Sequence, residues 1–351
     1  MGRVGILAAM QDLPDFPKLI SPWPLGLAKR LPHAGFSVAV IVALSTLFYF
    51  GASGALLPSE HAPFWSSPRQ ITGMALTYIV ILSYLSGFFI YGARRTLEAA
   101  AELRAYFVTG EAENLVARLN RVRPLRFWVA TGVGVLLGFA NIDPRVVTES
   151  VGVLSTWPMD LSLVLGSMVV WIFATQVVYV GIENGLTLSR LGRRCVQVDL
   201  FQTQRMKPFA RVGVRSTLMV MGALAMTPLQ ALDAQFRVVN YSFAFALGLP
   251  VALLLLVLPM WGIHQRLREA KATALASVDA SIATAGRDHA TDALVHLNAL
   301  LERRGYLQGL HTWPLDLGGL ARVGFYLVIP PLAWVGAALV EMLVQALVDA
   351  V

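Results

Sequence analysis

Residues 324–348, GFYLVIPPLAWVGAALVEMLVQALV, form an apolar run long enough to cross a bilayer, and a single carboxylate, Glu341, lies inside it. A span of about 20 residues covers the hydrocarbon core. Immediately upstream, residues 264–323 are mostly polar, and before them a second apolar run closes at Trp261-Gly262-Ile263. Span, polar helical segment, span is the plan of this last unit. The rest of the chain repeats it more loosely.

Composition agrees with that plan. Of 351 residues, 56% are hydrophobic and 14% are charged, against roughly 25% charged in soluble domains. A water-facing exterior needs more charge, so the bilayer is the better solvent. The single cysteine, Cys195, excludes an intrachain disulfide framework and a multi-cysteine zinc site. Arginine outnumbers lysine 24 to 4, a bias that points to a GC-rich bacterial genome. The N-terminal apolar patch, Val4 to Met10, is followed by Asp12, Asp15 and four prolines without a small-residue cleavage site. The expectation is an uncleaved first span rather than a signal peptide.

Seven apolar runs qualify: 34–57, 71–93, 127–142, 161–182, 212–232, 241–263 and 324–348. Lys plus Arg in the segments between them run 4, 1, 7, 1, 6, 1, 7 and 0, with Arg215 inside the fifth span completing the 28. Strict alternation is what the positive-inside rule requires if all seven runs cross. The expected fold class is therefore all-α. It is a polytopic membrane helix bundle of seven transmembrane helices, N-terminus in the cytoplasm and C-terminus out. The net charge of +7 is explained by this orientation, and nucleic acid is not expected as a partner.

The division that follows has an N-terminal cytoplasmic segment, 1–33, and a six-span region, 34–263, with cytoplasmic segments 94–125 and 183–211. A cytoplasmic helical hairpin with its linker, 264–323, precedes the last span, 324–351. In 94–125 the spacing of Leu97, Leu103, Phe107, Leu115 and Leu119 predicts helix broken at Thr109-Gly110. In 183–211, Val196, Val198 and Leu200 alternate with polar residues, as suits a segment lying on the inner headgroup surface. In the hairpin, Leu267, Leu275, Val278 and Ile282 form one stripe and Leu294, Leu297 and Leu301 the other. Gly286-Arg287-Asp288 makes the turn, and Gly305 is the expected C-cap. A weak internal echo, Gly181-Ile182 against Gly262-Ile263 and Ala210-Arg211-Val212-Gly213 against Ala321-Arg322-Val323-Gly324, suggests a repeated unit.

Few residues carry chemistry. Glu341, with Gln345 and Asp349 on its face and Ala337 and Ala338 one turn before, is an intramembrane carboxylate that requires a partner. Arg237 is the candidate. Glu183 and Arg215 form a candidate pair, or two snorkelling anchors, at the inner interface. Gly134 and Gly138 make a small-xxx-small motif, and Pro250 and Pro330-Pro331 can kink their helices. His289, Asp292 and His296 read as a solvated face, because the two histidines are about 10 Å apart along a helix. No zinc-protease pair, phosphate loop, serine elbow or dinucleotide fingerprint occurs. No catalytic residue, metal site or cofactor is expected.

Val198-Asp199-Leu200, Pro208-Phe209-Ala210-Arg211, Trp313-Pro314-Leu315-Asp316 and Pro331-Leu332-Ala333-Trp334 ahead of Glu341 resemble a group of uncharacterised bacterial multi-pass inner-membrane proteins. The resemblance covers the second half of the chain. It implies location and fold, and no activity. The expected function is a non-catalytic sensor or assembly scaffold working through its cytoplasmic segments, partnered by the bilayer and by another membrane or cytoplasmic protein. The alternative is a small-solute or ion transporter or channel using Glu341 and the kinked last two spans.

Overall fold

The computed structural model describes residues 19–28, 31, 33–58, 68–141, 157–227, 239–285 and 291–314, with six further positions between 321 and 336. Helix α1 is Trp23–Ala28, α2 Ala34–Ala52, α3 Pro68–Leu103, α4 Glu111–Arg118 and α5 Pro124–Ala140. Then come α6, Trp157–Arg194, α7, Lys207–Ala225, α8, Val239–Ala285, and α9, Thr291–Gly309. No strand occurs among the described residues, only the isolated bridges Ile20 to Val122 and Phe107 to Val196.

Four helices among the described residues are long and apolar enough to cross a membrane: α2, α3, α6 and α8. α5 is apolar but short, the feature already visible in its brief run. α7 carries Lys207, Arg211 and Arg215 within its first turns, and this charge dilutes its hydropathy. Of the seventh expected span only Gly324, Phe325, Val328, Leu332 and Gly336 are described, each helical and exposed; Glu341 and Gln345 lie outside the described residues, as does Arg237.

Close contacts fix how the helices run. Gly35 of α2 meets Gly87 and Tyr91 of α3, while Phe50 near the other end of α2 packs on Tyr78, so these helices are antiparallel. Gly134 and Gly138 of α5 meet Ile172 and Met168 of α6 in the same sense. On α7, Gly213 meets Leu256 and the Thr217 hydroxyl donates to the Ala252 carbonyl of α8 at 3.0 Å, again antiparallel. α6 and α8 run parallel: Gly181, Gly185 and Gly192 meet Leu255, Leu258 and Ile263 in turn. These directions bring Arg94 and Arg95, Arg126, Arg193 and Arg194, Lys207 and Arg211, and Arg266 and Arg268 to one end of the bundle.

Along α2, and along α5 beyond Arg126, the exterior is largely apolar. Phe36 is 74% exposed, Phe48 79%, Trp128 67% and Leu136 69%. Soluble proteins keep contiguous apolar patches small, and hydrocarbon is the solvent such a belt fits.

At the basic end, the expectation that residues 183–211 lie on a headgroup surface is corrected. α6 continues to Arg194, and Cys195, Val196, Met206 and Phe209 are buried with Leu103, Leu115, Val116, Leu191, Met260 and Leu267 in one core. Val108 N–H donates to Cys195 O at 2.9 Å and Gln197 N–H to Tyr106 O at 2.9 Å. The apolar residues of the two inner segments thus cover each other, which removes more surface from water than lying flat would. The Gly-Ile pairs expected to close the fourth and sixth spans lie in helix interiors, and α8 passes through the expected boundary at 263/264 without a break.

α8 and α9 pack on each other as a hairpin, with a different register on its second arm. Leu297 and Leu300 are half-buried and Leu307 is buried, whereas Leu301 is 48% exposed. The helix also continues past Gly305 to Gly309. Lys271 supplies the reason. Its ammonium donates to the carbonyls of Gln308 at 2.7 Å and Leu310 at 2.9 Å, a cation set on a helix C-terminus where the macrodipole favours it. Arg304 pairs with Asp279 at 2.6 Å. The turn residues Gly286, Arg287 and Asp288, together with Leu294's side chain, are outside the described set.

Candidate functional site

Three helix faces converge where the apolar belt meets the basic end. α3 contributes Phe89, Gly92, Ala93 and Thr96, spaced at one helical face, and α6 contributes Val177, Val180, Gly181 and Asn184. α7 adds Val212, Arg215, Ser216 and Met219. Between them is a small, open crevice of about 40 Å³, apolar towards the belt and polar towards the basic end.

Asn120 closes its polar end. It follows α4 at φ 61°, a left-handed conformation that asparagine tolerates better than most residues. This turn aims its amide inward. Asn120 N–H donates to Asn184 Oδ1 at 2.8 Å, and Asn184 Nδ2 donates back to Asn120 Oδ1 at 2.8 Å. Asn120 Nδ2 also donates to the Ala93 carbonyl at 3.0 Å. Both residues are buried. One amide pair therefore ties α3, the turn after α4, and α6 together.

Sequence reasoning singled out Glu183 and missed Asn184. One residue is about 100° around a helix, enough to separate the two roles. Glu183 turns to the surface, where Arg126 donates to it at 3.2 Å and the Tyr179 hydroxyl at 3.1 Å. The expected Glu183–Arg215 pair is thus not formed. Arg215 lies across the crevice and donates to the Arg95 carbonyl at 3.5 Å. The usable signal was the setting of Asn184 between Gly181 and Gly185, small residues that bring another helix against that face.

The carboxylates near Arg215 are engaged elsewhere. Arg95 pairs with Glu98 at 2.8 Å and sits 5.3 Å over the Tyr91 ring, and Arg211 pairs with Glu102. These pairs are exposed and contribute little to stability. Their importance here is that they leave Arg215 as the guanidinium facing the crevice. No imidazole or carboxylate among the described residues lines the crevice beside Thr96 and Ser216. Among the described residues no cluster of three His, Cys, Asp or Glu side chains could hold a metal ion.

The small-xxx-small motif of α5 has its partner within the chain. A Cβ on Gly134 would lie 2.5 Å from Ile172 Cα, and one on Gly138 3.0 Å from Met168 Cα. Gln176 reinforces the contact by donating to the Thr131 hydroxyl at 2.8 Å. Glu341, Gln345 and Arg237 fall outside the described residues.

No family profile, curated protein or solved structure matches the chain. The apolar belt and the four spanning-length helices are compatible with an integral membrane protein.

Proposed function

We propose that the protein is a non-catalytic component of a bacterial inner membrane, a sensor or assembly scaffold whose working surface is its basic end. The carrying observation is continuity. α3, α6 and α8 pass without interruption from the apolar belt into the basic-end core, where Leu103, Leu191 and Leu267 pack together. The hairpin of α8 and α9 is therefore one body with the membrane part. A partner that met the hairpin would be coupled to the bundle. Another membrane or cytoplasmic protein is the expected partner, and nucleic acid is not.

This reading places the basic end in the cytoplasm, with seven spans and the C-terminus outside. Its support is the gathering of arginines at one end by helix direction together with the positive-inside rule. Cys195 cannot report on it, because the thiol is buried. Gln197, two residues on, is exposed. In a Gln197→Cys variant, a membrane-impermeant thiol reagent should label protein in opened cells and leave intact spheroplasts unlabelled, with native Cys195 silent in both. Labelling of intact spheroplasts would reverse the orientation.

The second reading, passage of an ion or small solute, has the half-polar crevice in its favour, along with Pro250 and Pro259 inside α8. Glu341→Gln separates the two. On the scaffold reading the carboxylate is structural, and its loss lowers Tm in detergent because removing one partner of a buried pair costs about 3–5 kcal/mol. Neutralising Arg237 as well should restore part of that loss. Unchanged Tm with abolition of a flux measured in proteoliposomes would favour passage instead.

A further inference from the structure

We propose that the crevice between α3, α6 and α7 binds the phosphate headgroup of an anionic phospholipid, with Arg215 as its principal contact. The proposal holds whether the protein is a scaffold or a conduit.

Arg215 sits about two turns into α7, past Lys207 and Arg211 and before the apolar stretch from Leu218 to Ala225. That depth is the boundary between basic end and belt. Tyr91, 42% exposed, marks the same level on α3, as an interfacial aromatic does. The Arg215 guanidinium is half-buried, and among the described residues no carboxylate pairs with it; its one hydrogen bond, to the Arg95 carbonyl, is long at 3.5 Å. A guanidinium offers five donors, so most of its capacity is uncommitted. Ser216 beside it has a hydroxyl with no partner among the described residues, and the Thr96 hydroxyl donates to Gly92 O at 2.9 Å, leaving its lone pairs and not its proton free.

The donor set is therefore cationic and its natural guest is an anion. Phosphate is the anion present at headgroup depth, and guanidinium matches two of its oxygens at once. A free phosphate would satisfy the same donors. The walls decide between the sources: above Arg215 the crevice is lined by Phe89, Val177 and Met219, which offer nothing to a hydrated ion and suit the glycerol and first methylenes of a lipid. Basic pockets between spans on the cytoplasmic side are recurrent lipid headgroup sites.

Gly92 supplies a variant that leaves charge untouched. It lines the crevice, and a Cβ added there meets nothing within 4 Å, so Gly92→Leu fills the space that the lipid would occupy. The full-length protein in neutral detergent is titrated with phosphatidylglycerol, phosphatidylcholine or inorganic phosphate, and Tm is followed. A ligand that binds only the folded protein raises Tm with its concentration. Phosphatidylglycerol should produce a saturable rise; phosphatidylcholine and phosphate should not. Arg215→Gln should need about tenfold more phosphatidylglycerol for the same rise, the size expected on losing a charged hydrogen bond. Gly92→Leu should weaken the response similarly, and decides the matter if Arg215→Gln does not fold. Unchanged responses in the folded variants, no rise with phosphatidylglycerol, or a rise reproduced by phosphate alone would each overturn the assignment.

Discussion

Asn184→Ala should yield a protein that melts far below the wild type or fails to accumulate in folded form. The substitution removes both halves of the reciprocal amide pair from one side. Asn120 N–H and Asn120 Oδ1 then face a hole where Asn184 Oδ1 and Nδ2 stood. Both positions are buried, Asn120 at 6% and Asn184 at 9% exposure, so bulk water does not simply replace the lost partner. Each stranded group costs about 1–3 kcal/mol, and the total is a large share of the 5–15 kcal/mol typical of a folded domain. Asn120→Gly is the matched comparison. Glycine adopts φ 61° without strain and keeps its N–H on Asn184. It also loses two bonds, but the Ala93 carbonyl lies inside α3 and keeps its helical partner, so one group is stranded rather than two and the protein should be hurt less. Thermal melts in detergent check the order. An Asn184→Ala protein as stable as the wild type would mean that the pair does not form.

Gly262→Val should be comparably damaging, for a steric reason. The α6–α8 contact is so close at this point that a Cβ on Gly262 would run into the main chain of Ser189. A backbone atom cannot rotate away as a side chain does, so the two helices must part. Separation would also loosen Gly185 against Leu258 and Gly192 against Ile263. Overpacking in a tight interior costs about 1–3 kcal/mol and more where nothing can yield. Gly305→Ala serves as the opposite case. It lies mid-helix, exposed, with nothing within 4 Å of an added Cβ, and alanine should there stabilise α9 by roughly 0.5–1 kcal/mol. Loss of folded yield for Gly262→Val with a small gain for Gly305→Ala is the expected pair of results.

The helices that the sequence announces are those with a one-sided solvent. Apolar runs at 34–57, 71–93, 161–182 and 241–263 emerge as α2, α3, α6 and α8 because each is long and apolar enough to cross a membrane by composition alone. Where the helices end was harder to read, because α3, α6 and α8 lengthen into the basic end by packing on one another. Val196 and Phe209 looked like residues seeking a headgroup surface; they face a core contributed by other parts of the chain. The hairpin's second stripe shifted from Leu301 to Leu300 and Leu307 because Lys271 fixes the end of α9, an interaction spanning 37 residues. The amide pair was invisible for a similar reason: Asn120 and Asn184 are 64 residues apart, and neither stands in a motif. Glycines were legible as a class, yet only the structure showed that Gly134 and Gly138 serve α6 rather than another protein.

The length of α8 has a mechanical meaning. Forty-seven residues make a rod of about 70 Å, while the hydrocarbon core takes up about 30 Å. On the proposed placement, whose span ends at Ile263, the residues from His264 to Ala285 extend about 33 Å beyond the basic end of the belt as a lever arm. A spanning helix answers a change in bilayer thickness by tilting. For an arm of this length, a tilt of about 5° carries the tip sideways by roughly 3 Å, the rise of two helical residues. The same geometry would turn a small strain in the lipid into a displacement that a soluble protein touching α9 could feel.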